Sequence, residues 1–275
     1  LLRGAEASIG TFPYPGGLSV SSEARALLEN LQPSRARSGP SRTLSRDWME
    51  NRLEKICRRK GERALDAIRD EARALAPKLG RELENEVLQS IISALLGSGE
   101  PSGLQNRAAR SRAAGLPLDA ERLRLFDALH VALARRLFTP YQADPDAEAT
   151  RNIAFFEAYF SNHIEGTRFE VREAMEMLHG NLPDPRRPED SHDIIGTFNV
   201  VSDHAEMSRT PNTADALVDL LTTRHTVIMA GRPGSSPGAF KDRINRAGST
   251  AFVRPDLVEG TLQAGFELMM GLREP

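Results

Sequence analysis

Residues 155–174 read FFEAYFSNHIEGTRFEVREA and mark the end of one helix and the start of the next. Gly166 is of the residue type that most often ends a helix. Thr167 and Glu170 then have the spacing of a capping box, which opens a new helix. The stretch therefore predicts a helix from near residue 145 to Gly166, followed at once by a second one. Apolar residues of the first helix recur at three- and four-residue steps at Ile153, Phe156, Phe160 and Ile164.

Similar periodicity covers most of the remaining chain. Strand signals are sparse, and the best of them is Thr250–Val253, preceded by the turn residues Ala247–Ser249. We therefore predict a mainly α fold with one small β-hairpin. Further helices are predicted over residues 47–72, 83–95, 119–139, 190–208, 212–230 and 257–273.

Composition divides the chain into three parts. Residues 1–45 are rich in Gly, Pro, Ser and Arg, and such a sequence buries too little apolar surface to offset its backbone entropy, which predicts a disordered arm. Residues 46–117 predict a helical N-terminal region that passes into a linker at the run GSGEPSG, residues 97–103. Residues 118–275 hold both the helix end at Gly166 and the predicted hairpin.

The overall composition narrows the function classes. The chain is 40% apolar and 27% charged with a net charge of −2, as in ordinary globular proteins. No long basic excess points to nucleic acid as a partner, and no apolar run approaches the ~20 residues of a membrane span. The six histidines show no metal-ligand spacing, so no metal site is expected. The first residues, LLRGAEASIG, lack an initiator Met and a signal-peptide pattern, which favours a piece of a longer reading frame.

A single cysteine, Cys57, cannot form an internal disulfide, which favours a reducing, cytoplasmic setting. Its basic neighbours Arg58, Arg59 and Lys60 are of a kind that lowers a thiol pKa. Burial on the apolar face of a helix is the favoured interpretation.

Ser161 and Glu165 are four residues apart, so they lie on one helix face, one turn from each other. Ala154 and Ala158 precede them along the same stripe, where small residues let another helix approach closely. A carboxylate at a helix C-terminus shares the negative end of the macrodipole and gains from a cationic partner. The alternative is a helix that simply ends at Gly166 with a solvated Glu165.

A second informative stretch, residues 224–260, reads RHTVIMAGRPGSSPGAFKDRINRAGSTAFVRPDLVEG. Together with FFEAYFSNHIEGTRFEVREA it resembles the first half of a Fic domain, the fold of protein adenylyltransferases, and the resemblance covers roughly residues 120–275. It implies a Fic-like helical bundle with an inhibitory helix at about 146–166. In such a helix Glu165 would pair with an arginine of the nucleotide site, Ser161 would hold the helix end in place, and Gly166 would complete the motif. It also implies that a hairpin flap at about 243–254 docks the target protein. The flap residues are Ser249, Thr250, Ala251, Phe252 and Val253.

Fic enzymes transfer AMP from ATP with Mg²⁺ to a Ser, Thr or Tyr hydroxyl of a target protein, and some members remove AMP instead. Their catalytic motif, His-Pro-Phe-x-Asp/Glu-Gly-Asn-Gly-Arg, is absent, since no histidine of this chain is followed by Pro-Phe. The resemblance therefore implies that this chain holds no catalytic residue. It implies ATP and Mg²⁺ as cofactors of a longer protein, and neither is expected to bind these 275 residues alone. Lys241 stands where many members have Arg.

Two alternatives stay open. The first is a non-catalytic helical interaction module or a decayed Fic remnant, in which the helices of residues 47–96 mediate partner contacts or a homodimer. The second is a nucleic-acid-binding regulator that uses the Arg-rich arm. No recognition helix follows the arm, which disfavours this second alternative.

Overall fold

The computed structural model describes residues 8–32, 43–136, 147–180 and 182–271. Within these ranges the chain forms twelve α-helices and two antiparallel β-hairpins. The predicted mainly α class is confirmed. The chain divides into two compact units, Leu1–Ala120 and Glu121–Pro275, which are described in turn.

The first unit is a helical cluster preceded by a β-hairpin. The hairpin pairs Thr11 with Ser21 and Tyr14 with Leu18. The helices enclose one apolar core, which includes the fully buried side chains Leu28, Leu53, Leu65 and Ile92. The elements are β1 (Thr11–Tyr14), β2 (Leu18–Ser21), α1 (Glu23–Leu31), α2 (Arg46–Lys60), α3 (Glu62–Leu79), α4 (Glu82–Leu95) and α5 (Arg107–Ala113).

The expectation of a disordered arm over residues 1–45 is wrong for residues 8–32, which hold β1, β2 and α1. Ser22 caps α1 by accepting a hydrogen bond from the Arg25 amide at 3.2 Å. Leu27 and Leu28 are buried in the core. The arm composition is concentrated in the run that begins at Pro33, and averaging over 45 residues hid the short apolar helix before it. Most of that run, residues 33–42, lies outside the described residues.

Two further elements of this unit differ from expectation. The helical pattern over 47–72 is divided between α2 and α3 at Gly61, whose φ of 81° lies in the region that glycine tolerates. The predicted linker after residue 97 contains α5, because the Asn106 side chain caps this helix by accepting from the amides of Ala108 and Ala109.

The second unit is also helical. Its largest buried cluster joins α7, α8 and α9 and includes Ala158, Phe169, Met177 and Ile194. The hairpin pairs Arg246 with Ala251 and lies where the sequence predicts it. The elements are α6 (Ala120–Ala134), α7 (Ala147–Ile164), α8 (Val171–Gly180), α9 (Pro188–Ser202), α10 (His204–Met207), α11 (Ala214–Ile228), β3 (Arg246–Ala247), β4 (Thr250–Ala251) and α12 (Val258–Met270).

Two helices of this unit have boundaries that differ from the sequence prediction. The region predicted as one helix over 190–208 is broken at Asp203, whose side chain accepts from the Glu206 amide and so starts α10 as a separate turn. The last helix begins with a 3₁₀ turn at Pro255–Leu257 before α12. Within the described part of the chain, none of the helices combines the length and the apolar character that crossing a bilayer requires.

Candidate functional site

The C-terminal end of α7 presents the predicted motif. Gly166 adopts a φ of 105°, which directs the chain away from the helix, and the Thr167 amide donates to the Asn162 carbonyl at 2.9 Å. Ser161 donates to the carboxylate of Glu157, one turn earlier, at 3.3 Å. The Glu165 side chain is exposed and forms no ion pair with any described residue.

Helix α9 packs along α7 on the face that carries the small residues. Ala154 and Ala158 are completely buried, as their place on the stripe leads one to expect. Asn162, on the next turn, is also buried, and its side-chain amide donates to the Ala158 carbonyl at 2.8 Å and to the Thr197 hydroxyl at 3.3 Å. The end of α7 is thus anchored to α9 by a polar contact as well as by apolar packing.

A cavity of about 540 Å³ lies beside this helix end. It brings Ser161 and Glu165 together with residues from α9 and from the end of α11, none of which the sequence analysis singled out. The walls consist of Ser161, Asn162, Glu165, Thr167, Asp193, Thr197, Ile228, Met229 and Arg232.

Arg232 is held in this wall by three carboxylates. Its Nη1 lies 2.9 Å from Glu189, its Nη2 2.7 Å from Asp190 and its Nε 2.7 Å from Asp193. The hydrogen bond to Asp193 is the main reason that the pKa of the Arg232 guanidinium is raised. Hydrogen bonds from Arg187 and, less strongly, from Arg232 hold the pKa of the Asp190 carboxyl below its ordinary value.

Asp193 lies in this wall and has one carboxylate oxygen without a hydrogen-bond donor among the described residues. It is 8% exposed, and one carboxylate oxygen, Oδ2, accepts from Arg232. The other, Oδ1, is buried and accepts a hydrogen bond from none of the described residues. Sequence reasoning missed Asp193 and Arg232, because nothing local relates two residues 39 positions apart.

The predicted flap residues lie elsewhere in the unit. Ser249 is in the hairpin turn, and Thr250 and Ala251 form β4. Phe252 is 46% exposed, its amide donates to the Asn245 carbonyl at 3.2 Å, and Val253 is half-buried. None of these five residues lines the cavity beside Glu165.

The hairpin has a cavity of its own, of about 640 Å³. Phe252 and Val253 line it together with His225 and Lys241, and the Lys241 ammonium lies 5.7 Å from the centre of the Phe252 ring. The Arg122 guanidinium donates to the Ala251 carbonyl. Ile228 lines both cavities, so the cavity beside Glu165 and the cavity beside the hairpin are neighbours.

The residues beside Glu165 do not fit a nucleoside triphosphate with Mg²⁺. The guanidinium of Arg232 is already paired with three carboxylates, which leaves the wall with excess negative charge, and phosphate oxygens need cationic or N–H donors. No group of three or more His, Cys, Asp or Glu residues suited to a metal ion occurs among the described residues.

Cys57 is excluded as a nucleophile by its surroundings. It is buried on α2, and burial is the main reason that the pKa of its thiol is raised, against the opposing effect of Arg112. The interpretation as an apolar-face residue is therefore the one that the structure supports, since reactive cysteines are exposed and have a lowered thiol pKa.

The comparisons with known proteins add no relative. Comparison of the chain with protein-family models, with curated proteins and with solved structures gave no match.

Proposed function

We propose that this chain is the regulatory and target-docking part of a Fic-family protein adenylyltransferase, which transfers AMP from ATP to a hydroxyl of a target protein. The proposal rests on the resemblance of residues 120–275 and on one structural observation. Glu165, at the C-terminal end of α7, lines a polar cavity, and its carboxylate pairs with no cation of the described residues. In this proposal Glu165 inhibits the enzyme until α7 moves.

The electrostatics of the helix end support an inhibitory role for Glu165. The carboxylate lies at the negative end of the α7 macrodipole, where a cation is favoured and an anion is not. A cationic group brought to this end would therefore be bound by both the carboxylate and the helix. In the proposed function that cation is the arginine of the nucleotide site. Its pairing with Glu165 would hold α7 against the nucleotide site and so block ATP from binding productively.

The hairpin supports the docking part of the proposal. A two-stranded ribbon presents backbone groups along its edges, to which an extended peptide can add as a further strand. On β4 the Ala251 carbonyl already accepts from Arg122, which leaves β3 as the edge for docking. Phe252, which is nearly half exposed next to β4, offers an apolar contact to a side chain of such a peptide. In the proposed function, the hairpin positions the target hydroxyl.

The gene supplies the first test, because the proposal requires a catalytic motif that the chain does not contain. The reading frame after codon 275 should encode a His-Pro-Phe motif with its Gly-rich run within roughly 40 residues, the distance that one or two further helices occupy. A stop codon soon after Pro275, in an expressed transcript, would refute the enzyme assignment and favour the alternative below.

The second test is the substitution Glu165→Gly in the longer protein, assayed for self-labelling with radioactive ATP. Removal of the inhibitory carboxylate should raise labelling by about tenfold or more, the effect of losing one charged hydrogen bond. Glu170→Gly is the matched control, since Glu170 is exposed, follows α7 and does not line the cavity. Equal labelling of the Glu165→Gly and wild-type proteins would refute the inhibitory role. Release of AMP from labelled targets should be measured alongside, because some Fic enzymes remove AMP.

A non-catalytic interaction module is the second candidate, and one observation favours it. Four large apolar side chains along α7 are more than half exposed: Ile153, Phe156, Phe160 and Ile164. A stripe of this kind is typical of a surface that packs against a partner or a second copy. Sedimentation of the wild-type chain and of a Phe156→Ser, Phe160→Ser variant tests it, because only the wild type should self-associate.

A further inference from the structure

A further cavity of the second unit lies between α7, α8 and α9. Its volume is about 160 Å³, which is close to the roughly 150 Å³ of a cavity that holds one benzene molecule. Among the described residues, none lines both this cavity and the one beside Glu165. Phe156 is the lining residue of α7 that comes nearest to Glu165 in sequence, and the two are about 13 Å apart along the helix axis. This cavity is therefore a separate site.

Much of its wall is aromatic. The Phe155 and Phe156 rings of α7 meet edge to face, with their centres 5.4 Å apart and an angle of 70° between their planes. Phe198 of α9 supplies a third ring, and Met175 of α8 supplies a thioether. Aromatic rings favour stacked and edge-to-face contacts with another ring, and a Met sulfur also contacts rings favourably. The wall therefore favours a planar ring over an aliphatic chain.

The same wall leaves apolar surface in contact with water. Phe156 is 54% exposed, Val171 is 48% exposed and Met175 is 42% exposed. A ligand that covers these side chains removes apolar surface from water, which is a main favourable term in binding to a concave apolar site. The cavity is thus suited to a ring that enters from solvent.

The polar residues of the wall set the charge of the ligand. Arg151 supplies a guanidinium group that forms an ion pair with none of the described residues, and no carboxylate among them lines the cavity. Asn152 supplies a neutral amide, and the His179 Nδ1 donates to the Met175 carbonyl at 2.7 Å. With histidine neutral, the wall carries a formal charge of +1, whereas the whole chain carries −2. A guanidinium binds a carboxylate through two parallel hydrogen bonds, so the wall favours a ligand with one carboxylate group.

We infer that this cavity is a binding site for a small aromatic carboxylate with a single ring. The ring packs among Phe155, Phe156 and Phe198, and the carboxylate accepts hydrogen bonds from the guanidinium of Arg151 and the amide of Asn152. Arg151 is exposed, so its guanidinium is available to an anion that enters from solvent. The site requires neither nucleotide nor catalysis and is thus independent of the proposed function.

The test is a titration of the ¹⁵N-labelled 275-residue chain with phenylacetate at constant pH and ionic strength. Saturable shifts are expected for amides of the first half of α7 and of α8. Phenylacetamide, the neutral isostere, should bind about tenfold more weakly, and cyclohexylacetate severalfold more weakly because it lacks the aromatic ring. Shifts that do not saturate, shifts confined to other parts of the chain, or equal binding of either analogue would overturn the inference.

Two substitutions locate the ligand within the cavity. Arg151→Gln, at an exposed position, should weaken phenylacetate binding by about tenfold. Arg172→Gln is the matched control, because it removes the same charge from an exposed residue of α8 that does not line the cavity, and it should leave the affinity unchanged. Met175→Trp should abolish binding, since the indole would fill the space of the ring. Equal affinities of Arg151→Gln and Arg172→Gln, or wild-type affinity of Met175→Trp, would contradict the site.

Discussion

At the scale of single residues, Gly196 determines how closely two helices of the second unit approach. It lies in the middle of α9, and a Cβ atom built on it would be 2.9 Å from the Ile228 Cα and 2.9 Å from the Val227 carbonyl oxygen at the end of α11. These are backbone atoms, which cannot rotate away as a flexible side chain can. The same α11 residues lead into the cavity wall, so the absence of a side chain at Gly196 helps to position the site.

Gly196→Ala should therefore destabilise the protein by about 2 kcal/mol, because overpacking against backbone forces the two helices apart. Urea denaturation followed by circular dichroism measures the loss. Gly180→Ala at the end of α8 is the control, since the nearest atom to its added Cβ is 3.7 Å away, and it should leave stability unchanged or slightly raised. A Gly196→Ala protein as stable as the wild type would show that α9 and α11 are farther apart than described.

At the scale of elements, one buried carboxylate connects α2 with the start of α5. Glu50 is completely buried, and it accepts from the Gln105 amide at 2.6 Å, from the Asn106 amide at 2.7 Å and from Arg46 at 2.9 Å. The first two donors belong to the segment just before α5, whose amides have no partner within the helix. The carboxylate therefore orders a segment that sequence composition describes as a linker.

Removal of this carboxylate by Glu50→Ala should destabilise the first unit by about 2–3 kcal/mol, since two amides lose a charged acceptor and Arg46, which keeps its hydrogen bond to the Gly103 carbonyl, loses its carboxylate partner. Hydrogen exchange should show faster exchange in α5 than elsewhere, with urea denaturation giving the total loss. Glu86→Ala, at an exposed site of α4, serves as the control and should change stability by less than about 0.5 kcal/mol. Unchanged protection of α5 in the Glu50→Ala protein would contradict this role.

At the scale of the whole molecule, both units depend on arginine–carboxylate pairs that lower carboxyl pKa values. In the first unit, the hydrogen bond from Arg52 on α2 lowers the pKa of Glu23 on α1. In the second unit, Arg187 lowers the pKa of Asp190. Because these carboxyls bind protons more weakly in the folded chain than in the unfolded chain, acid favours unfolding of both units.

The contribution of these pairs to stability should therefore be constant between about pH 5 and pH 7, where the unfolded carboxyls are also ionised, and should fall as the pH decreases through about 4 towards the lowered folded-state pKa values. Thermal melts between pH 7 and pH 3 measure this dependence. Glu23→Gln, which removes one of the titrating groups, should reduce the slope for the first unit. A melting temperature that is the same at pH 7 and pH 3.5 would contradict the contribution of these pairs.

Much of the secondary structure was predictable from sequence because its causes are local. Gly166 adopts a positive φ just after α7, as glycine does readily at the end of a helix. The turn and strand residues of Ala247–Val253 likewise predict the hairpin that the structure contains. The missed elements also have local signals. Ser22 before α1 and Asn106 before α5 are both N-cap residues, but the surrounding Gly, Pro and Ser residues concealed them in averages over longer windows.

The residues of the candidate site differ in how far the sequence alone predicts their position. That Ser161 and Glu165 share one face at the end of a helix follows from the sequence, because helical geometry places residues four apart on adjacent turns. Helix packing brings Asp193 and Arg232, 39 residues apart, to the same cavity and buries a carboxylate oxygen of Asp193 where no described residue donates to it. The physical reason is that burial and ion pairing depend on which helices pack together, and this packing is set by long-range contacts that no local pattern encodes.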